Sequence, residues 1–173
     1  MAQQTKVVLL LLLATAATAY VTDFNKIIQE AEEHRRNSQC STCCPCGWVK
    51  YERRCFTYQA SKMDWASAEK HCLDLGGHLT SIHSENEYQL IKALIRTHDP
   101  EENAAWIGLN GCQKKFNWFW SDGSRLTFTK WNPREPNFVN GECCVHIDRG
   151  ANKNWNDIPC NQNYPFVCVK RSH

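Results

Sequence analysis

Five side chains in the C-terminal part of the sequence have the types and spacing to hold a hard cation. The chain reads Glu135-Pro136-Asn137-Phe138-Val139-Asn140-Gly141-Glu142-Cys143-Cys144 and, further on, Trp155-Asn156-Asp157. Glu135, Glu142 and Asp157 offer carboxylates, and Asn137 and Asn156 offer amide oxygens. Ca2+ accepts such ligands in a flexible shell of roughly six to eight oxygens. The mixture has a second use, because an ionised carboxylate accepts hydrogen bonds while an amide NH2 donates them. A ligand with two neighbouring hydroxyls can therefore coordinate the ion and be held by both residue types. The same Asn, Gly and Pro content also fits an ordinary solvated loop, and composition alone leaves both readings open.

Positioning five ligands requires a scaffold, and the hydrophobic pattern supplies one. Ser61 to Leu75 reads as a helix with Trp65, Ala68 and Cys72 on one face, stopped by Gly76-Gly77. His78 to Ile82 alternates as a short strand. A second helix starts at Ser84, whose capping box with Glu87 is an N-terminal signal, and runs to about Thr97 with Tyr88, Ile91, Leu94 and Ile95 buried. Tyr164 to Val169 reads as a closing strand. Between them, Trp131 to Trp155 reads as a long irregular loop, a length that is unusual unless the loop is functional, and a bound ion would order it.

The 173 residues suit one domain plus small extras, and 42% hydrophobic residues with seven tryptophans can fill a core. A formal charge of +2 without basic clusters gives no electrostatic footprint for nucleic acid; Arg35-Arg36 and Arg53-Arg54 are isolated pairs. His-Glu-x-x-His, Gly-x-Ser-x-Gly and phosphate-loop patterns are absent, so the sequence does not read as an enzyme. The histidines His78, His83 and His146 show no metal spacing and read as surface or packing residues. No Asn-x-Ser/Thr sequon occurs.

Residues 1–19 read as a secretory signal peptide: Lys6 precedes an apolar run from Val7 to Leu13, and Ala17-Thr18-Ala19 offers small residues for cleavage. The apolar run is too short for a membrane anchor. The mature chain is predicted to start near Tyr20 and to be secreted into an oxidising, extracellular compartment where its eleven cysteines can pair. Residues 20–43 form an N-terminal segment in which Phe24, Ile27, Ile28 and Ala31 fall at helical spacing, predicting a short helix or a pro-segment. Cys40, Cys43, Cys44 and Cys46 crowd into seven residues; half of a zinc site or disulfides are the two options, and secretion favours disulfides.

Glu-Pro-Asn, a following Glu before a Cys, and Trp-Asn-Asp before a second Cys resemble the calcium and sugar site of the C-type lectin-like domain. Trp106-Ile107-Gly108-Leu109 resembles the core strand of that family, and Trp118-Phe119-Trp120-Ser121-Asp122-Gly123-Ser124 its next strand and turn. Cys44-Pro45-Cys46-Gly47-Trp48 followed by Cys55-Phe56 resembles the N-terminal hairpin of the long form. The extra cysteines look like those of secreted fish lectins and type II antifreeze proteins. The resemblance implies an α+β fold over residues 44–173, with two helices packed on antiparallel sheets, a long calcium-binding loop and disulfide staples. It also implies a cis peptide bond before Pro136 and core positions for the tryptophans of the 118–120 block.

Four bridges follow from the resemblance: Cys44–Cys55, Cys72–Cys168, Cys144–Cys160 and Cys112–Cys143. Cys40, Cys43 and Cys46 are left over, and three cannot all pair within one chain, so one of them could link a disulfide-bonded homodimer or oligomer. The ligand set implied is Glu135, Asn137, Glu142, Asn156 and Asp157, holding one Ca2+ and, through it, the sugar. Phe138 and Cys143 stand where a second calcium site would have acids, hence one ion. In the family, Glu-Pro-Asn goes with mannose, fucose and N-acetylglucosamine and Gln-Pro-Asp with galactose. The interval from Glu135 to Glu142 is one residue shorter than in familiar mannose-binding members.

The function expected from all this is a secreted calcium-dependent lectin for glycans with mannose-type vicinal hydroxyls, with a role in innate defence by glycan recognition. A calcium-dependent type II antifreeze protein and a protein-binding module that takes no sugar are the alternatives, since one fold hosts many functions.

Overall fold

A computed structural model describes residues 44–147 and 154–172. The expected signal peptide, the 20–43 segment, Cys40 and Cys43 lie outside the described residues.

The chain makes β1 (Val49–Tyr51) and β2 (Arg54–Met63), a helix α1 (Trp65–Asp74), and β3 (His78–Leu79). A second helix α2 (Glu85–His98) leads into β4 (Ala105–Asn110) and β5 (Phe119–Trp120). After the ligand loop come β6 (Cys144–Ile147), β7 (Trp155–Ile158) and β8 (Tyr164–Arg171). The strands run in the order β1-β2-β8-β4-β6-β7, with β3 beside β8 and β5 beside β4. Of these pairings, only that of β4 with β8 is parallel.

Both helices start where a side-chain oxygen caps an unpaired amide. Asp64 is extended (φ −64°, ψ 161°) and accepts from the Ser67 amide, so α1 begins at Trp65 rather than at Ser61. Ser61 to Met63 instead prolong β2, with Met63 opposite Tyr164. Ser84 Oγ accepts from the Glu87 amide as the capping box requires, while Glu87 Oε2 accepts from the His83 amide. Glu87 is nevertheless 95% buried, and Arg54 Nη1 at 2.7 Å supplies its counter-charge. Tyr88, Ile91, Leu94 and Ile95 are buried as their spacing predicts.

The core gathers Leu79, Trp106, Phe166, Ala68 and Ile158 around the Cys72–Cys168 bridge, which fastens α1 to β8. The other three bridges match the pairs implied by the resemblance: Cys44–Cys55, Cys112–Cys143 and Cys144–Cys160. Gly108 is required by close approach, because a Cβ there would sit 2.5 Å from the Leu79 carbonyl oxygen. The expected strand 78–82 shrinks to His78–Leu79, although the Thr80 amide still donates to the Val167 carbonyl. The 131–155 block is not wholly irregular. It contains β6, four buried residues laddered between β4 and β7, whose apolar run is too short to announce itself beside two cysteines. Trp120 is buried as a core residue, but Phe119 points to solvent at 50% exposure, the alternation a strand imposes.

Candidate calcium and carbohydrate site

The ligand loop is pinned to β7 at both ends. The Trp155 amide donates to the Lys130 carbonyl and the Asn132 amide to the Trp155 carbonyl, while the Cys143 amide returns to the Ile158 carbonyl. The loop between must arch over β7, and the Glu135–Pro136 bond is cis, as the resemblance implied.

Asp157 is the anchor. It is fully buried on β7, and its Oδ1 accepts from the Asn137 amide at 3.0 Å while Oδ2 accepts from the Phe138 amide at 2.8 Å. Asn137 spends its amide locally: Nδ2 donates to Glu135 Oε1 at 3.0 Å, and Oδ1 accepts from the Val139 amide at 2.7 Å. Glu135 Oε2 and Glu142 Oε2 are each buried, yet neither has a hydrogen-bond donor. Buried carboxylate oxygens are normally satisfied, so two orphans in one loop point to a missing positive partner.

Charge tells the same story. Burial, reinforced by Asp157, lifts the Glu135 carboxyl from its ordinary 4.5 to about 7, and Asn137 only partly offsets this. Glu142 is raised as well, first by burial and then by Asp157. Three acids crowded in this way resist ionising together, and a divalent cation removes that cost. The oxygen-only donor set and the two orphan atoms fit Ca2+.

The structure thus brings Glu135, Asn137, Glu142 and Asp157 into one electrostatic group. Asn156 stands apart. Asn156 Nδ2 lies 3.4 Å from His146 Nε2, the residue across the β6–β7 ladder. His146 is buried against the Trp106 and Tyr164 rings.

Beyond the five candidate ligands, aromatic side chains form a continuous path beside the loop. Trp155 meets Trp131, Trp131 meets Trp118, Trp118 meets Phe138 and Phe138 meets Phe116, with ring centroids 4.9–5.8 Å apart. The sequence reading placed Trp118 in the core and gave Phe116 no role. The available signal was local: Phe138 directly follows the Glu-Pro-Asn triplet.

A serine, histidine and aspartate also meet away from this loop. Ser124 Oγ lies 3.3 Å from His83 Nε2, but Asp122 accepts from Ser124 and from Ser81, not from the imidazole. Without a carboxylate orienting the ring, the cluster lacks the relay of a nucleophilic triad. It joins Arg54, which donates to Ser81, in a structural network.

Comparison with known proteins agrees with this fold. The family model described as Lectin C-type domain matches residues 61–170. The chain belongs to the C-type lectin family. Within that family it is 43% identical over 137 residues to lactose-binding lectin l-2 of Anguilla japonica, covering 76% of this chain and 81% of the relative. It is 37% identical over 126 residues to the type-2 ice-structuring protein of Hemitripterus americanus, covering 73% and 74%. Among solved structures, a calcium-independent type II antifreeze protein superposes with a TM-score of 0.70 at 35% identity, over 75% of this chain and 95% of the other. A Ca2+-dependent type II antifreeze protein in its Ca2+-free form gives 0.69 at 33% identity, over 73% and 99%. Among the described residues no helix is long and apolar enough to cross a membrane.

Proposed function

We propose that this C-type lectin domain is secreted and binds carbohydrate through one Ca2+ held by Glu135, Asn137, Glu142, Asn156 and Asp157. The observation that carries the reading is the pair of buried, donorless oxygens, Glu135 Oε2 and Glu142 Oε2, beside the buried Asp157. Glu135, Glu142 and Asp157 would hold the ion through carboxylate oxygens, with Asn137 and Asn156 offering amide oxygens. Ca2+ held there would supply a hard cation that two vicinal hydroxyls of a sugar could coordinate. Each hydroxyl donates to a carboxylate and accepts from an amide. With Glu at 135 and Asn at 137, the donor and acceptor order is the one the family pairs with mannose, fucose and N-acetylglucosamine.

The relatives named for a sugar include a lactose-binding lectin, a galactose-specific lectin and a C-type mannose receptor 2; in our reading the Glu135/Asn137 order is what chooses between mannose-type and galactose-type ligands. A single site with so little buried area binds at about the millimolar level, so several sites joined through one of Cys40, Cys43 and Cys46 would supply avidity. The test is retention on immobilised mannose in calcium, elution with EDTA, and a galactose column in parallel. Mannose retention released by EDTA supports the full reading. Galactose retention released by EDTA keeps the site and overturns the order argument.

A second reading rests on the relatives and structures named as type-2 ice-structuring and type II antifreeze proteins. Under it, the ion-ordered loop presents a surface to ice. Failure on both columns, together with thermal hysteresis in freezing solution, would establish that reading in place of the lectin.

A further inference from the structure

We infer that Phe116 and Phe138, with Lys115, form a second subsite that takes the ring of a sugar residue linked to the one held at the ion. The inference rests on the calcium-site reading and extends it from a monosaccharide to an oligosaccharide.

Position comes first. Phe138 follows the ligand Asn137 directly, and its amide is fixed on Asp157 at 2.8 Å, so its ring is tied to the ion site by the same bond that shapes the loop. Phe116 comes from the β4–β5 connection and meets Phe138 at 4.9 Å in an edge-to-face arrangement of 72°. Trp118 backs Phe138 from the protein side at 4.9 Å. The inner rings are thereby packed, while Phe116 remains 63% exposed and Val139, beyond Phe138, 51% exposed.

Backbone conformation is the second observation. Phe116 has φ +66° and Phe138 has φ +57°, the left-handed region that bulky side chains avoid. Two phenylalanines held there, one of them mostly in water, are expensive for a surface that does nothing. Strain of this kind persists where surrounding structure fixes it, and it concentrates at ligand clamps.

The third observation selects the occupant. The Lys115 ammonium lies 5.1 Å from the Phe116 centroid and 5.5 Å from that of Phe138, within reach of both rings. An ammonium donates three hydrogen bonds and accepts none. A pyranose ring offers a C–H face to an aromatic ring, whose face carries negative potential, and hydroxyl oxygens to an ammonium. An alkyl chain would cover the rings and leave the ammonium without acceptors. The pairing therefore suits a sugar ring better than a lipid, and the chain bond between residues 137 and 138 puts that ring next to the first one.

Titration calorimetry in calcium, comparing methyl mannoside with a mannose disaccharide, tests the subsite. The disaccharide is expected to bind about three- to tenfold more tightly, the range that one aromatic contact provides. Phe116→Ala should abolish that gain while leaving the affinity for methyl mannoside and the melting temperature unchanged, because the side chain is mostly exposed. Phe116→Trp should keep the gain. If the protein retains galactose instead, methyl galactoside and lactose replace the mannose pair. Equal affinity for the two ligands, or a gain that survives Phe116→Ala, overturns the subsite alone. Absence of calcium-dependent binding of either monosaccharide overturns the calcium-site reading and the subsite with it.

Discussion

Asp157 and Phe138 are nineteen positions apart, yet the Phe138 amide donates to Asp157 Oδ2 at 2.8 Å, with the Asn137 amide on the other oxygen. One buried carboxylate on a strand therefore sets the arch of the loop through two backbone amides. In this way the core, through β7, dictates the position of a surface site.

That arrangement predicts a strong link between calcium and stability. Calcium at about 100 times its Kd should raise the melting temperature by roughly 5–15 °C, since binding to the folded state alone is worth about 2.7 kcal/mol there. Asp157→Asn should remove the shift and, by replacing one acceptor with a donor, lower the stability of the metal-free protein by about 1–2 kcal/mol. Scanning calorimetry with calcium and with EDTA measures both. A transition indifferent to calcium would rule out the five-ligand assignment.

Protons should compete for the same site. Glu135 holds its proton up to about 7 in the folded chain against 4.5 ordinarily, so between those values the folded state binds more protons than the unfolded one. The stability of the metal-free protein should then rise as pH falls through that window. Melting in EDTA at about pH 8 and about pH 5.5 should show a gain on acidification that Glu135→Gln lacks. An identical pH response in the two proteins would refute the assignment.

Exchanging the amide and the acid reverses the hydrogen-bond order offered to a hydroxyl pair. The double variant Glu135→Gln, Asn137→Asp should move retention from a mannose column towards a galactose column with EDTA elution preserved. Undiminished mannose retention would show that other contacts choose the sugar.

The Arg54–Glu87 pair serves the frame and not the site. Its side chains are 17% and 6% exposed, and Glu87 also receives the His83 amide. Glu87→Ala should cost about 2–4 kcal/mol by stranding both partners, while sugar retention at low temperature stays intact. Urea titration provides the stability, and the column provides the control.

Much of this was legible in the residues themselves. Ser84 and Glu87 announced the second helix because capping is a local matter, and the Glu-Pro-Asn and Trp-Asn-Asp words marked the candidate site because each is short and chemically specific. Other features were not local. Asp64 competes with Ser61 as a helix start, and what decides between them is the pairing of Met63 with Tyr164, a hundred positions later. β6 was hidden in an apparent loop because its evidence is the company of β4 and β7. The turn of Asn156 towards His146 follows from ladder register, and the Phe116–Phe138 contact from two loops meeting; neither is written in a neighbouring residue.

The Ser172 amide donates to the Arg53 carbonyl, and the Cys44–Cys55 bridge holds the chain's entry to the same strand pair. Both ends of the folded unit consequently leave from the β1–β2 edge of the sheet, whereas Asp157 sits on β7, at the opposite end of the strand order. Such a unit behaves as a plug-in cartridge: it can be tethered, tagged or strung in series by either end, or spliced into a host loop, from the edge of the sheet farthest in strand order from β7.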